Sequence, residues 1–298
     1  MRPGGGPDYR ASVTCPHQRW GRRAFLGLLG VGFAVAAAGC AAAAPGSPPD
    51  PSGSAAPSGP PQAPPGGWPT PRPITPRPPV NRPNGVVELY AGPAASVPAR
   101  QLALTVDDGF CDHCVAGYAA FAQRTGVHLT FSPNGRYASA WAPQAPVLRP
   151  LIEAGQVQLM NHTFNHPDLT KLGPSAIRAE LERNEKWIAT TFRTSTRPYF
   201  RPPFGRRNLA VVETAGEVGF NRVVMWDGSY SDSKLITPQF LMVQAHRYLQ
   251  AGVIMLGHAN HPTVLGLFDE ILELIKQREL TPVTLDEMFH TQRPPVTS

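Results

Sequence analysis

From Gln101 onward, short apolar runs alternate with longer stretches whose apolar residues recur every three or four positions. Seven runs read as buried strands: Leu102–Val106, His128–Phe131, Val157–Met160, Tyr199–Arg201, Arg222–Met225, Val253–Leu256 and Pro282–Thr284. Short apolar runs bounded by turn formers suit strands covered on both faces. Between most of them the spacing becomes helical. Pro174–Phe192 is the clearest case: Ile177, Leu181 and Ile188 share a face, Pro174 sits near the start, and Glu182 precedes Lys186 by four. Asn208–Val218, Pro238–Leu249 and Leu267–Arg278 repeat the pattern. Strand–helix alternation predicts an α/β domain with a mostly parallel sheet and helices outside it. Seven units favour an incomplete barrel over an open sheet.

Before Gly85 this periodicity is absent. Arg22-Arg23 precede an apolar run from Phe25 to Ala38, shorter than the roughly 20 residues of a spanning helix. A charged start, a short apolar core and small residues describe an export signal over residues 1–39. The paired arginines point to the route that carries folded proteins. Ala37-Ala38-Gly39-Cys40 resembles a bacterial lipoprotein box, with Ala where Leu is commoner. Cys40 is then the lipidated first residue of the mature chain, holding it on the outer membrane face toward the wall. Residues 40–84 read as a disordered tether: 16 of the 35 prolines lie between Pro45 and Pro83. Such composition buries too little to offset ordering. Residues 85–298 form the expected catalytic domain.

Charge narrows the partners. The chain carries +6 overall, but residues 85–298 hold 19 Lys and Arg against 19 Asp and Glu. A neutral domain argues against nucleic acid, which needs a basic face. The domain is expected to act as a monomer.

The chemistry-bearing residues fall at the carboxyl ends of the expected strands. Asp107-Asp108-Gly109 follow the first, His162 and His166 the third, Arg201 closes the fourth, Trp226-Asp227 follow the fifth, and His258 follows the sixth. In β/α barrels those ends share one rim, where active sites lie. His162 and His166, four apart, reach one metal if they sit on a helical turn. With Asp108 they make a two-histidine, one-carboxylate set that leaves a position open for water. Asp107 is a candidate base, Arg201 its ion-pair partner, and His258 a candidate acid.

These residues resemble the polysaccharide deacetylase family, the NodB-homology carbohydrate esterases, over about Gln101 to Phe289. The resemblance implies a distorted (β/α)7 barrel. It also implies hydrolysis of N-acetyl groups on amino sugars of a cell-wall glycan, with one divalent ion, usually Zn2+. By that resemblance Asp107 is the base and Asp108, His162 and His166 hold the metal. Arg201 tunes the base, the Phe204 N–H is an oxyanion donor, His258 is the acid, and Leu256 lines the acetyl pocket. The region after Trp226 departs from the family's Asp-Trp pair: Asp232 is followed by Ser233, and Trp226 is the nearby tryptophan. Asp232 is assigned to orient His258, with Asp227 as the alternative. That departure leaves room for another acetylated polysaccharide, such as xylan. A non-catalytic wall-binding lipoprotein is the third reading. Cys111 and Cys114, beside the site, read as a disulfide ahead of free thiols or a metal site. His261, Tyr137 and Trp141 are further rim candidates for sugar contact.

Overall fold

The computed structural model describes residues 60–73 and 77–291. The paired arginines, the apolar run, Cys40 and residues 41–59 lie outside the described residues. In chain order the strands are β1 (Val80–Asn81), β2 (Val87–Leu89), β3 (Gln101–Asp108), β4 (Leu129–Pro133), β5 (Val157–Leu159), β6 (Tyr199–Phe200), β7 (Arg222–Val224), β8 (Gly228–Ser229), β9 (Ile254–His258) and β10 (Thr281–Val283). The helices are α1 (Asp112–Thr125), α2 (Ala138–Trp141), α3 (Ala145–Glu153), α4 (Pro174–Phe192), α5 (Leu209–Glu217), α6 (Pro238–Tyr248), α7 (Phe268–Gln277) and α8 (Leu285–Phe289).

β3 is the axis of the fold. It pairs in parallel with β4 on one side and β9 on the other, and β5 and β8 extend that sheet. A second sheet runs β1-β2-β7-β6. Single bridges join the sheets, Asn161 with Phe200 and Ala91 with Val253. The strand path therefore closes as β3-β4-β5-β6-β7-β2-β9, a distorted ring of seven. The seventh staves differ from expectation. Val87–Leu89 completes the ring, whereas Thr281–Val283 lies against the start of β3. Three residues hold too little pattern to mark β2 as a strand.

Strand alternation decides what faces inward. Leu89, Ala103, Met160, Tyr199, Val224 and Ile254 are buried together, one from each of six staves or its immediate continuation. They fill the ring as a packed layer. Leu104 and Val106 point the other way, into the larger core beneath the helices, where Phe121 of α1 stacks on Phe268 of α7 at 4.3 Å. Continuing up the inward face of β3 gives Thr105 and then Asp107. Along β9 the same step leads from Ile254 to Leu256 and His258. Asp107 and His258 are register partners, so alternation alone sets them side by side at the mouth.

Pro174–Phe192 forms a helix with the expected bounds. α1 has no counterpart in the sequence reading, although Cys114, Val115, Tyr118, Phe121 and Ala122 trace its buried face. Gly126 ends it in the left-handed region.

Part of the stretch read as a tether packs on the domain. Trp68 stacks on His246 of α6 at 4.5 Å. The Arg72 N–H donates to Arg247 O at 2.9 Å, and Gln250 Nε2 donates to Arg72 O at 2.8 Å. Val80–Asn81 pairs with β2. Pro-rich composition predicts an unpacked chain, but the aromatic Trp68 gives this stretch apolar surface to bury.

Candidate active site

The buried floor of the site is an ion pair. Arg201 follows β6 and is 0% exposed. Its Nη1 donates to Asp107 Oδ1 at 2.8 Å and to Thr105 Oγ1 at 2.9 Å. Its Nε and Nη2 donate to Val224 O and Met225 O, both at 3.2 Å. A buried charge is tolerated when its donors are satisfied, and here four acceptors serve one guanidinium. The other oxygen of Asp107, Oδ2, lies 3.6 Å from His162 Nε2.

The metal-ligand candidates meet above that floor. Asp108 Oδ1 lies 3.4 Å from His162 Nε2 and 3.3 Å from His166 Nε2. The three ligand atoms all fall within 4.8 Å of one another. His162 Nδ1 is 2.7 Å from Arg201 O. A carbonyl only accepts, so Nδ1 carries a proton and Nε2 is the nitrogen turned toward Asp108. Among the described residues, Asp108 Oδ1 is buried without any hydrogen-bond partner. An orphaned carboxylate oxygen facing two imidazole nitrogens fits a divalent cation. Burial opposes ionisation of Asp108, but His162 and the neighbouring histidine charges outweigh it and hold its carboxyl well below the usual range. Burial, then the charge of His162, lowers His166 to about 4. His166 is therefore neutral at pH 7, the form that ligates.

The two histidines do not sit on a helical turn. Residues 162–166 form a loop in which Thr163 and His166 take positive φ, 67° and 57°. Thr163 Oγ1 accepts from the His166 N–H at 3.1 Å. Three buried asparagines fix the loop. Asn134 Nδ2 donates to His162 O and Thr163 O at 2.6 and 2.9 Å. Asn161 Oδ1 accepts from the Thr163 N–H at 2.9 Å and from Asn184 Nδ2 at 3.2 Å. Asn184 in turn spans to Gly135 N and Pro133 O.

A fourth asparagine serves Asp108. Asn260 Nδ2 donates to Asp108 Oδ2 at 2.8 Å, and its Oδ1 accepts from the Gly109 N–H at 3.2 Å. Trp141 Nε1 donates to Asp108 O at 2.8 Å. Trp141 is fully buried, so it braces this turn and offers no sugar platform. Gly109 takes φ 97° against that indole, where a Cβ would clash. None of these amides has a sequence spacing that announces it.

His258 closes the other side. Its Nδ1 is 2.9 Å from Asp232 Oδ1, and its backbone N–H donates to Asp232 Oδ2 at 3.0 Å. With Nδ1 donating, Nε2 is left toward the cleft. Burial favours neutral His258, but Asp232 outweighs it, and its pKa is raised. Asp227 does not reach His258; its Oδ1 accepts from the Ile254 N–H at 3.1 Å. A cleft of about 650 Å³ joins these groups, with Phe204, Trp226 and Leu256 in its walls. Phe204, at φ 59°, is 60% exposed and sets its ring edge-on to His166 at 4.5 Å. Trp226 lies under the Arg201 guanidinium at 5.7 Å. Cys111 and Cys114 are disulfide-bonded, with Cα atoms 5.2 Å apart, at the start of α1.

Residues 94–223 match the family model described as polysaccharide deacetylase. Over this stretch the chain is similar to polysaccharide deacetylase domains. The match includes Asp107, Asp108, His162, His166, Arg201 and Phe204, while Trp226, Asp232, Leu256 and His258 lie beyond it. The chain is 28% identical over 197 residues to the peptidoglycan-N-acetylglucosamine deacetylase PgdA of Listeria monocytogenes, covering 64% of this chain and 39% of that one. It is 28% identical over 193 residues to a chitin deacetylase of Arthroderma benhamiae, covering 62% and 51%. The chain thus spans about half or less of the length of these curated relatives. A solved structure of a CE4 family pseudoenzyme from Bacillus anthracis aligns with a TM-score of 0.59 at 21% identity, covering 67% of this chain and 68% of that one. That likeness concerns the fold. A pseudoenzyme on this fold means that side chains, not architecture, decide catalysis.

Proposed function

We propose that the domain is a metal-dependent hydrolase that removes N-acetyl groups from amino sugars of a cell-wall polysaccharide, with Zn2+ as its ion. The observation that carries this reading is the orphaned Asp108 Oδ1, set between His162 Nε2 and His166 Nε2. Asp107–Arg201 flanks it on one side and His258–Asp232 on the other. The relatives named for peptidoglycan and chitin deacetylation support the class of substrate.

Asp108, His162 and His166 would hold the ion, which supplies Lewis acidity and a water of lowered pKa. Asp107, paired with Arg201, takes a proton from the attacking water. Water oxygen adds to the acetyl carbon. The Phe204 N–H donates to the developing oxyanion, a kind of contact worth about 3 kcal/mol. His258 Nε2 delivers a proton to the sugar nitrogen as the C–N bond breaks, releasing acetate and a free amine. Asp232 keeps Nδ1 protonated, so that Nε2 is the nitrogen exchanging protons. Leu256 and Trp226 receive the acetyl methyl.

The anchor and address belong to the same proposal. Arg22-Arg23 and the Ala37–Cys40 box support twin-arginine export and lipidation at Cys40. The domain then works as a monomer outside the membrane, facing the wall. Loss of membrane retention in a Cys40→Ala variant is the expected result; unchanged retention would remove the anchor.

The deciding experiment is acetate release from purified peptidoglycan by the zinc-loaded chain, before and after chelation. Release abolished by the chelator is expected. No release from folded, metal-bound protein would overturn the reading.

A further inference from the structure

Arg72 and Arg77 line a second cavity of about 360 Å³, walled by Trp226, Asp227, Ser231 and Tyr248. Trp226, Ser229 and Ser231 line both this cavity and the catalytic cleft, so the two share a wall. The arginines come from the segment before β1, upstream of the matched family region. That segment is held in place. Arg72 is pinned through its backbone to the end of α6 on both its N–H and its carbonyl. Arg77 lies over the Tyr90 ring at 5.7 Å.

Among the described residues, neither guanidinium has a carboxylate in ion-pair contact. Glu88, the nearby acid on β2, is taken by Arg82 at 2.7 Å and Arg207 at 2.9 Å. Asp227 is the acid that faces the two arginines. Its Oδ1 is committed to the Ile254 N–H, and among the described residues its Oδ2 is buried without a partner. Burial raises Asp227 to about 6, more than the two arginines lower it. The cavity therefore presents two cations against one acid, next to the proposed deacetylase site. A guanidinium matches a carboxylate in geometry and charge.

We propose that Arg72 and Arg77 form a carboxylate-binding subsite beside the catalytic cleft, selecting N-acetylated glycans that carry carboxylates close to the scissile amide. The proposal rests on the deacetylase reading for its substrate and not for its binding. The upstream segment is then part of the specificity apparatus, and removing it alters substrate choice.

The test measures binding to the full zinc-loaded chain by calorimetry, with three glycan probes. The first is wall glycan freed of peptides, with lactyl carboxylates exposed. The second is the same glycan with those carboxylates amidated. The third is peptide-bearing wall fragments, whose lactyl groups are blocked and whose peptides supply the carboxylates. Wild type is expected to bind a carboxylated probe roughly tenfold tighter than the amidated one. In R72Q/R77Q the ratio should fall to about one, in R72K/R77K it should persist in part, and in R72E/R77E it should invert. The lysine pair guards against a misfolding explanation, because it changes shape while keeping charge. Preference for the first probe assigns the lactyl carboxylate, and preference confined to the third assigns a peptide carboxylate. A wild-type ratio near one for both probes overturns the subsite, as does a ratio that survives R72Q/R77Q. Acetate release from neutral chitin oligomers, read in parallel, separates the two readings. Release with no binding preference removes the subsite alone, and binding preference with no release from any probe removes the deacetylase alone.

Discussion

Asn260 Nδ2 donates to Asp108 Oδ2 at 2.8 Å, which leaves Asp108 Oδ1 turned toward His162 and His166. The amide occupies one carboxylate oxygen so that the other is presented. Partners of this kind set ligand orientation and are worth about 10–100-fold in metal affinity. Asn260→Ala should weaken zinc binding by that factor without removing it, as read by competition with a chelating dye. Wild-type affinity in the variant would show that the Trp141 and His contacts orient Asp108 without help.

Removing the Arg201 side chain strands a buried carboxylate. Arg201→Met leaves Asp107 buried and unpaired, and breaking such a pair costs about 3–5 kcal/mol. Urea unfolding should show a loss of that order. Adding Asp107→Asn should recover part of it, since the stranded charge is gone. If the double variant is no more stable than the single, the loss came from packing and the four acceptors, not from the stranded charge.

Asp107→Asn by itself separates chemistry from binding. A positioned base contributes about 10²–10⁴-fold to rate. Turnover should fall within or beyond that range while zinc stoichiometry stays at one. Turnover near wild type would remove Asp107 from the base role.

The Asp232–His258 pair makes a signed prediction about pH. His258 in the fold has a pKa raised above its ordinary 6.5, with Asp232 outweighing burial. A raised histidine contributes stability that is full below the unfolded pKa and is lost as pH rises through the folded value. In metal-free protein, NMR should therefore find His258 titrating above 6.5. Asp232→Asn should move it downward, because burial then acts with less opposition. The alkaline limb of activity should shift in the same direction. An unmoved titration would transfer the orienting role away from Asp232.

The sequence carried the charged members of the site and little of what holds them. Asp107, Asp108, His162, Arg201 and His258 stand at strand ends, and strand periodicity is local, so their convergence was legible. The asparagines were not. Asn134, Asn161, Asn184 and Asn260 act through amide hydrogen bonds, most of them to segments distant in sequence, which no spacing encodes. The His162–His166 spacing suggested a helical turn where the chain forms a loop, because positive φ at Thr163 cannot be read from a threonine. Val87–Leu89 and Gly228–Ser229 were too short to show a period, and Trp68 alone distinguished the packed part of the Pro-rich stretch.

Four non-glycine residues with positive φ, Asp108, His166, Phe204 and Ser231, line the cleft. Each such conformation costs on the order of 1–3 kcal/mol relative to a relaxed backbone. The barrel below them, filled by Met160, Tyr199, Val224 and Ile254, carries that load. Stability and activity are thus drawn from one shared reserve. Substitutions that relax the rim make the molecule sturdier and its ligands less well aimed. Substitutions that loosen the barrel reach the chemistry without touching it. A lineage under pressure only to stay folded would lose the rim first and keep an intact, idle barrel.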